Sequence, residues 1–248
     1  MTHSLTTFTP SANKLPNAAE LPVATELPIT PIRGLALKPK LRGWLHAGSA
    51  PLVLAVAIVL VALAPNAPAR ISLAIFGITA LSLFGTSAVY HISNGHIAAK
   101  VTAILKRIDH ANIFLIIAGT YTPLALLLLP ANLARLILII VWSGAIAGVL
   151  VQVFWSKAPR WISAPVYLAL GWVAIGFIRD FASFGGPAIV TLIITGGVAY
   201  SLGAIVYALK KPNPSYRWFG YHEVFHAFTI AGFTLHTIAI FIAVVAAR

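Results

Sequence analysis

Cysteine is absent from this chain and acidic residues are scarce. With no Cys among 248 residues, disulfides and thiolate metal sites are excluded, and any metal must be bound by His, Asp or Glu. Only five residues are acidic, and charged residues make up 9% of the chain, against about 25% in soluble domains. Because 59% of the residues are hydrophobic, the composition indicates a membrane protein.

Basic residues are more numerous, but they are dispersed. The 17 Lys and Arg residues give a formal net charge of +12, and they stand singly or in pairs between long apolar runs. Membrane proteins mark their cytosolic loops in this way. We therefore expect the lipid bilayer as the partner of this chain and no nucleic acid.

Seven apolar runs approach the roughly 20 residues that a helix needs to cross the hydrocarbon of a bilayer. They are separated by Pro-rich and Gly-rich segments that interrupt helices. The runs cover about residues 46–64, 71–91, 110–129, 133–154, 162–178, 188–208 and 222–247. The sequence thus predicts an all-α fold, a seven-transmembrane helix bundle that occupies residues 46–248.

The N-terminal region precedes this bundle. Residues 1–31 are rich in Pro, Thr, Asn and Ala, a composition typical of a disordered tail. Residues 32–45 alternate Leu and Trp with Arg and Lys, which predicts an interfacial segment or a basic flank that orients the first helix. No secretory signal pattern is recognised, so the first span is expected to direct insertion.

The distribution of positive charge predicts the orientation of the bundle. The tail and the second, fourth and sixth loops hold 13 of the 17 Lys and Arg residues, and the opposite side holds 4. The smaller group consists of Arg70, Arg135, Arg179 and Arg248. Since cytosolic loops carry the excess of positive charge, we expect the N-terminus in the cytosol and the C-terminus outside.

Five polar residues lie at the ends of these runs, on the side predicted to be cytosolic. His91 ends the second run with Ser87 one turn earlier, Asp109 opens the third, and His222 and His226 open the seventh. Residues four apart share a helix face. Two His so spaced, with a third from a neighbouring helix, form a three-nitrogen zinc site with one position left for water. Alternatively, they are hydrogen-bonded imidazoles near a helix end.

The segment from His222 to His226 also fits the H-E-x-x-H pattern of zinc proteases, in which Glu223 would be the general base. Such a short pattern arises easily by chance. A third ligand of the usual carboxylate kind could come only from Asp109 or Asp180. The protease is therefore a rival hypothesis.

Several motifs together resemble the hemolysin III family, which belongs with the adiponectin and progestin receptors. They are the S-x-x-x-H of residues 87–91, the Asp of the segment 107–110, the Gly-Thr-Tyr-Thr-Pro of 119–123 and the H-x-x-x-H of 222–226. The resemblance covers about residues 38–248. It implies a seven-helix bundle, opposite in topology to G-protein-coupled receptors, with a zinc ion near the cytosolic face.

Carried over by position, the resemblance implies that His91, His222 and His226 bind Zn²⁺, with Ser87 and Asp109 around the water on the metal. In this family the residue at position 223 need not be acidic, which weakens the protease hypothesis.

The remaining histidines receive other interpretations. His236 lies about 21 Å along the helix from His222, too far to share its metal, and is expected to be a hydrogen-bonded interior residue. His110 follows Asp109 and points elsewhere on its helix. His46 and His96 are expected at the membrane interface. His3 belongs to the N-terminal tail.

Three functions in different classes fit these residues. The first is a zinc-dependent hydrolase of a lipid amide or ester, with Asp109 and Ser87 as catalytic residues. The second is a receptor-like membrane regulator in which zinc is structural. The third is a cytolytic protein of the hemolysin type, although no polar pore-lining stripe stands out.

Overall fold

The computed structural model describes residues 39–155 and 160–248. This part of the chain is helical and contains no β-strand, only an isolated bridge between Ser215 and Phe219. Its α-helices are α1 (Trp44–Ala62), α2 (Ala67–Ser93), α3 (Ala99–Leu128), α4 (Ala131–Phe154), α5 (Arg160–Gly171), α6 (Ile178–Leu209) and α7 (Tyr221–Ala246). The expected all-α class is confirmed for these residues. The predicted tail, 1–31, lies outside them.

Six helical stretches in the described residues are long and apolar enough to cross a membrane. Five of them are α1, α2, α3, α4 and α7. The sixth runs from Pro165 to Leu209 and joins α5, a 3₁₀ segment (Trp172–Phe177) and α6. The predicted run 188–208 and all but the first three residues of the run 162–178 fall in this stretch. By length and composition the described residues therefore contain six candidate spans, whereas the sequence predicted seven.

The stretch of 45 residues folds back on itself. A straight helix of that length would extend about 67 Å. Instead, Gly186 adopts a left-handed, non-helical conformation (φ 77°, ψ 173°) immediately before Pro187. The Trp172 indole N–H donates to the Ser201 hydroxyl over 2.9 Å. The segments before and after Gly186 therefore lie side by side, with the reversal at the Gly185-Gly186-Pro187 sequence that predicted a break.

The third helix begins well before the predicted span. It starts at Ala99 rather than at residue 110, so Lys106, Arg107 and Asp109 lie within α3 and not in a loop. Hydropathy locates the apolar part of a helix, but the backbone continues to satisfy its own hydrogen bonds beyond that part, and long basic side chains extend towards the interface.

The helices are packed so that the first helix of the bundle, α1, contacts the last, α7. Helix α2 contacts α1 and α3, α4 contacts α3, and α7 contacts α6, α3 and α1. Glycines in the helices permit close approach of neighbouring side chains. A methyl group on Gly148 would overlap the Phe114 ring, and one on Gly196 would overlap His236.

Backbone hydrogen bonds join the short segment before α1 to the loop before α7. The backbone amides of Lys40 and Leu41 donate to the carbonyls of Arg217 and Trp218 over 3.0 and 3.2 Å. Lys40 also lies 4.8 Å from the centre of the Trp218 ring. This pairing brings the first turns of α1 and α7 together next to the end of α2.

Candidate metal centre

Three histidines converge where the end of α2 meets the first two turns of α7. His91, His222 and His226 each direct one ring nitrogen into a group whose members lie within 4.8 Å of one another. The Nε2 atoms of His91 and His222 are 3.0 Å apart. His91 and His226 are buried and His222 is half-buried. We call these three residues the histidine cluster. Its geometry could hold a metal ion, as the sequence predicted.

The unpaired nitrogen of His226 fits a metal ligand. Its Nε2 is buried and has no hydrogen-bond partner among the described residues, which is costly for a polar atom in an apolar surrounding. The separation of 3.0 Å between the other two Nε2 atoms is close to the value of about 3.3 Å expected for tetrahedral Zn–N bonds of about 2.0–2.1 Å. Three imidazoles suit zinc, copper, iron or nickel.

Asp109 and Ser87 lie beside the histidine cluster. The Asp109 Oδ2 atom is 3.9 Å from His91 Nε2, and its side chain is only 12% exposed. Ser87 is buried one turn before His91, and its side chain lies next to the Asp109 carboxylate. At 3.9 Å the carboxylate is near His91 without a direct hydrogen bond to it. The structure thus brings together all five residues selected from the sequence.

His46, which was expected at the membrane interface, is buried by protein at the start of α1. Its side chain is 2% exposed. Its ring packs edge-on against Phe84, and its Nε2 and Nδ1 atoms lie 2.7 and 3.0 Å from His226 Nδ1. One sequence feature could have placed His46 at the site: it opens an apolar helix at the same depth as three other helix ends that carry polar residues. The proximity of α1 to α7 could not be read from the sequence.

His236 lies as expected, whereas His110, which was expected to point elsewhere, lies beside Asp109. His236 is within the bundle and its Nε2 donates to the Ile193 carbonyl over 3.1 Å, away from the histidine cluster. His110 lies with its Nδ1 2.8 Å from the Lys106 carbonyl and 3.6 Å from Asp109 Oδ2. His96 is exposed in the turn after α2, and His3 is outside the described residues.

Glu223 is engaged away from the histidine cluster although it stands between two of its members in sequence. Its carboxylate is fully buried and accepts from Arg42 Nε over 2.9 Å and from the Gly220 backbone N–H over 2.8 Å. It therefore caps the start of α7 and joins it to the segment before α1. These contacts occupy the carboxylate that the H-E-x-x-H pattern would require as general base.

A cavity of about 460 Å³ adjoins the histidine cluster. Its lining includes all three members of the cluster, Ser87 and Asp109, and it continues past Leu124 and Phe181 to His236. Most of the lining side chains are apolar or aromatic, and Lys106 and Arg107 belong to the lining as well. The site thus combines a group of metal-binding nitrogens, one carboxylate and a long, mainly apolar space.

The fold and the site define a multi-pass membrane protein with a buried three-histidine group beside an apolar cavity. A family model described as "Haemolysin-III related" matches residues 36–237. The chain belongs to this family, and the resemblance drawn from its motifs is confirmed. Family membership and the apolar helices assign it to the cell membrane.

Two curated relatives are similar over most of the bundle. The "Hemolysin-3 homolog" of Bacillus subtilis (strain 168) is 37% identical over 163 residues, covering 65% of this chain and 72% of the relative. The "Hemolysin-3" of Bacillus cereus is 30% identical over 168 residues, covering 67% of this chain and 72% of the relative.

Proposed function

We propose that the protein is a zinc-dependent hydrolase that cleaves an amide or ester bond of a lipid. The observation that carries this proposal is the position of the histidine cluster on the wall of an elongated apolar cavity, with Asp109 at the same end. An acyl chain would occupy the apolar part of the cavity, and its polar linkage would lie at the histidine end.

His91, His222 and His226 are the proposed zinc ligands. Zinc bound there would act as a Lewis acid and lower the pKa of a bound water to about 7. Asp109, near His91, accepts a proton from the attacking water and returns it to the leaving group. Ser87, next to the Asp109 carboxylate and facing the cavity, orients that carboxylate and helps to position the scissile carbonyl.

The competing functions have less support. A zinc protease would need Glu223 as a base, whereas its carboxylate is bound to Arg42 and to the backbone of Gly220. A cytolytic function, suggested by the names of the relatives, would favour a polar path, whereas the cavity is lined mainly by apolar side chains. A receptor with structural zinc would need a fourth protein ligand closing the site.

The metal assignment is tested by zinc analysis of the purified full chain in detergent. We expect about one zinc per chain, and His226→Ala should remove most of it because a ligand is lost. His236→Ala is the matched control, a buried histidine outside the cluster, and should retain the metal. Equal loss in both variants would place the metal elsewhere.

The catalytic assignment is tested with Asp109→Asn, which keeps the side-chain shape and removes the proton acceptor. We expect zinc to be retained while hydrolysis of lipid amides and esters is lost, by about 10²–10⁴-fold. Retained hydrolysis in the Asn variant would refute the role of Asp109. If the wild type binds zinc and hydrolyses none of these lipids, the receptor with structural zinc becomes the better hypothesis.

We also propose that the chain crosses the membrane seven times, with its N-terminus in the cytosol. The support is the reversal at Gly186, which gives the stretch from Pro165 to Leu209 two antiparallel halves, and the uneven division of Lys and Arg. A periplasmic reporter fused after Arg248 should be active and one inserted in the 210–220 loop silent. Activity of the loop fusion alone would reverse the orientation.

A further inference from the structure

His46 of α1 contacts the histidine cluster directly, through His226. It lies in the first turn of that helix, and either of its ring nitrogens is within 3.0 Å of His226 Nδ1. The two rings meet edge to face, with centres 3.9 Å apart, and Phe84 packs against the other side of His46. His46 is therefore held against one particular nitrogen of His226.

The two nitrogens of His226 have different surroundings. Nδ1 is next to His46, whereas Nε2 is buried without a hydrogen-bond partner among the described residues. A neutral imidazole carries its proton on one nitrogen and a lone pair on the other. The hydrogen-bond partner of one nitrogen determines which of these two tautomers forms. A hydrogen-bond acceptor at Nδ1 places the proton there and leaves the lone pair on Nε2.

We propose that His46 is a positioning residue for the metal centre: it accepts the Nδ1–H of His226 and thereby presents the Nε2 lone pair to the metal. This inference rests on the metal site proposed above. Metal-binding histidines commonly donate their second N–H to a carboxylate or a carbonyl. Here a neutral imidazole would supply the acceptor without placing a further charge at membrane depth.

The geometry disfavours a direct bond from His46 to the same metal. A metal ion on Nε2 would lie on the side of the His226 ring that faces away from Nδ1, whereas His46 is in contact with Nδ1. A three-histidine centre with His46 behind it keeps a coordination position for water or substrate. A four-histidine centre would be closed and would suit structural zinc.

Three substitutions separate positioning from packing. His46→Gln keeps an acceptor near the place of Nε2, the closer nitrogen at 2.7 Å. His46→Phe keeps a ring and removes the acceptor, and His46→Ala removes both. Zinc affinity of the full chain in detergent is measured by competition with a chelator of known affinity. We expect Phe and Ala to weaken binding about 10–100-fold and Gln to restore most of the affinity.

Cobalt substitution tests whether His46 is itself a ligand. The visible absorption bands of bound Co²⁺ should keep the same coordination geometry in His46→Phe, since the proposed ligands remain. A change to a lower coordination number would overturn the proposal in favour of a four-histidine centre. His236→Ala, the control for loss of a buried hydrogen-bonded histidine, should lower thermal stability without changing zinc affinity.

The remaining outcomes are also decisive. Unchanged zinc affinity in all three His46 variants would show that the residue only packs, while the metal site itself would stand. The same conclusion would follow if His46→Gln bound zinc as weakly as His46→Phe and if the loss of zinc affinity in each variant followed its loss of thermal stability. A wild-type chain that binds no zinc would overturn both this inference and the proposed hydrolase.

Discussion

Replacing Glu223 by Gln separates a structural role of this carboxylate from a catalytic one. The substitution keeps an oxygen that can accept from the Gly220 N–H and removes the charge that pairs with Arg42. Glu223 is 1% exposed and Arg42 is 21% exposed, so the pair is only partly screened by solvent. A hydrogen bond to a charged group contributes about 1.5–3 kcal/mol, and the solvent contact of Arg42 reduces that value.

We therefore expect Glu223→Gln to lower the free energy of unfolding by about 1–2 kcal/mol. For a chain of this size, each kcal/mol corresponds to about 2–4 °C in Tm. Zinc content and hydrolysis per folded molecule should stay close to wild type. Arg42→Gln should destabilise more, because it leaves the buried carboxylate without its countercharge.

Thermal unfolding in detergent, with zinc analysis and lipid hydrolysis on the same samples, measures all three quantities. The reasoning is refuted if Glu223→Gln keeps its zinc and its Tm but loses hydrolysis. That result would make the carboxylate the general base of an H-E-x-x-H enzyme, and the contacts with Arg42 and Gly220 would be incidental.

Two further substitutions test the packing that supports the site. Tyr121→Phe removes a hydroxyl that donates to the Gly171 carbonyl and accepts from the Ala174 N–H, both over 2.7 Å; we expect a loss of about 1–3 kcal/mol, seen as a lower Tm, and an unchanged Tm would contradict it. Gly148→Ala should cost about 1–3 kcal/mol because its methyl group overlaps a phenylalanine ring of α3. Gly85→Ala, with open space around it, is the control and should be neutral or stabilising.

The sequence by itself determined the membrane class and the histidine cluster. Long apolar runs require helices in a bilayer, because each backbone polar group must be satisfied within its own segment. His222 and His226 share a helix face at a spacing of four, and His91 ends another run at the same depth. The spacing along a helix and the position within an apolar run can both be counted along the sequence. The convergence of these three histidines was therefore predictable.

The tertiary structure alone decided which other side chains complete the site. His46 meets His226, and Arg42 meets Glu223, only because the bundle closes by packing α1 against α7. These pairs are separated by 180 and 181 residues in sequence. No local pattern encodes such pairing, since it depends on how helices are ordered around the bundle. The reversal at Gly186 was predictable only in part. The Gly-Gly-Pro sequence predicted that the helix is interrupted. The hydrogen bond between Trp172 and Ser201 in the tertiary structure shows that the chain also turns back there.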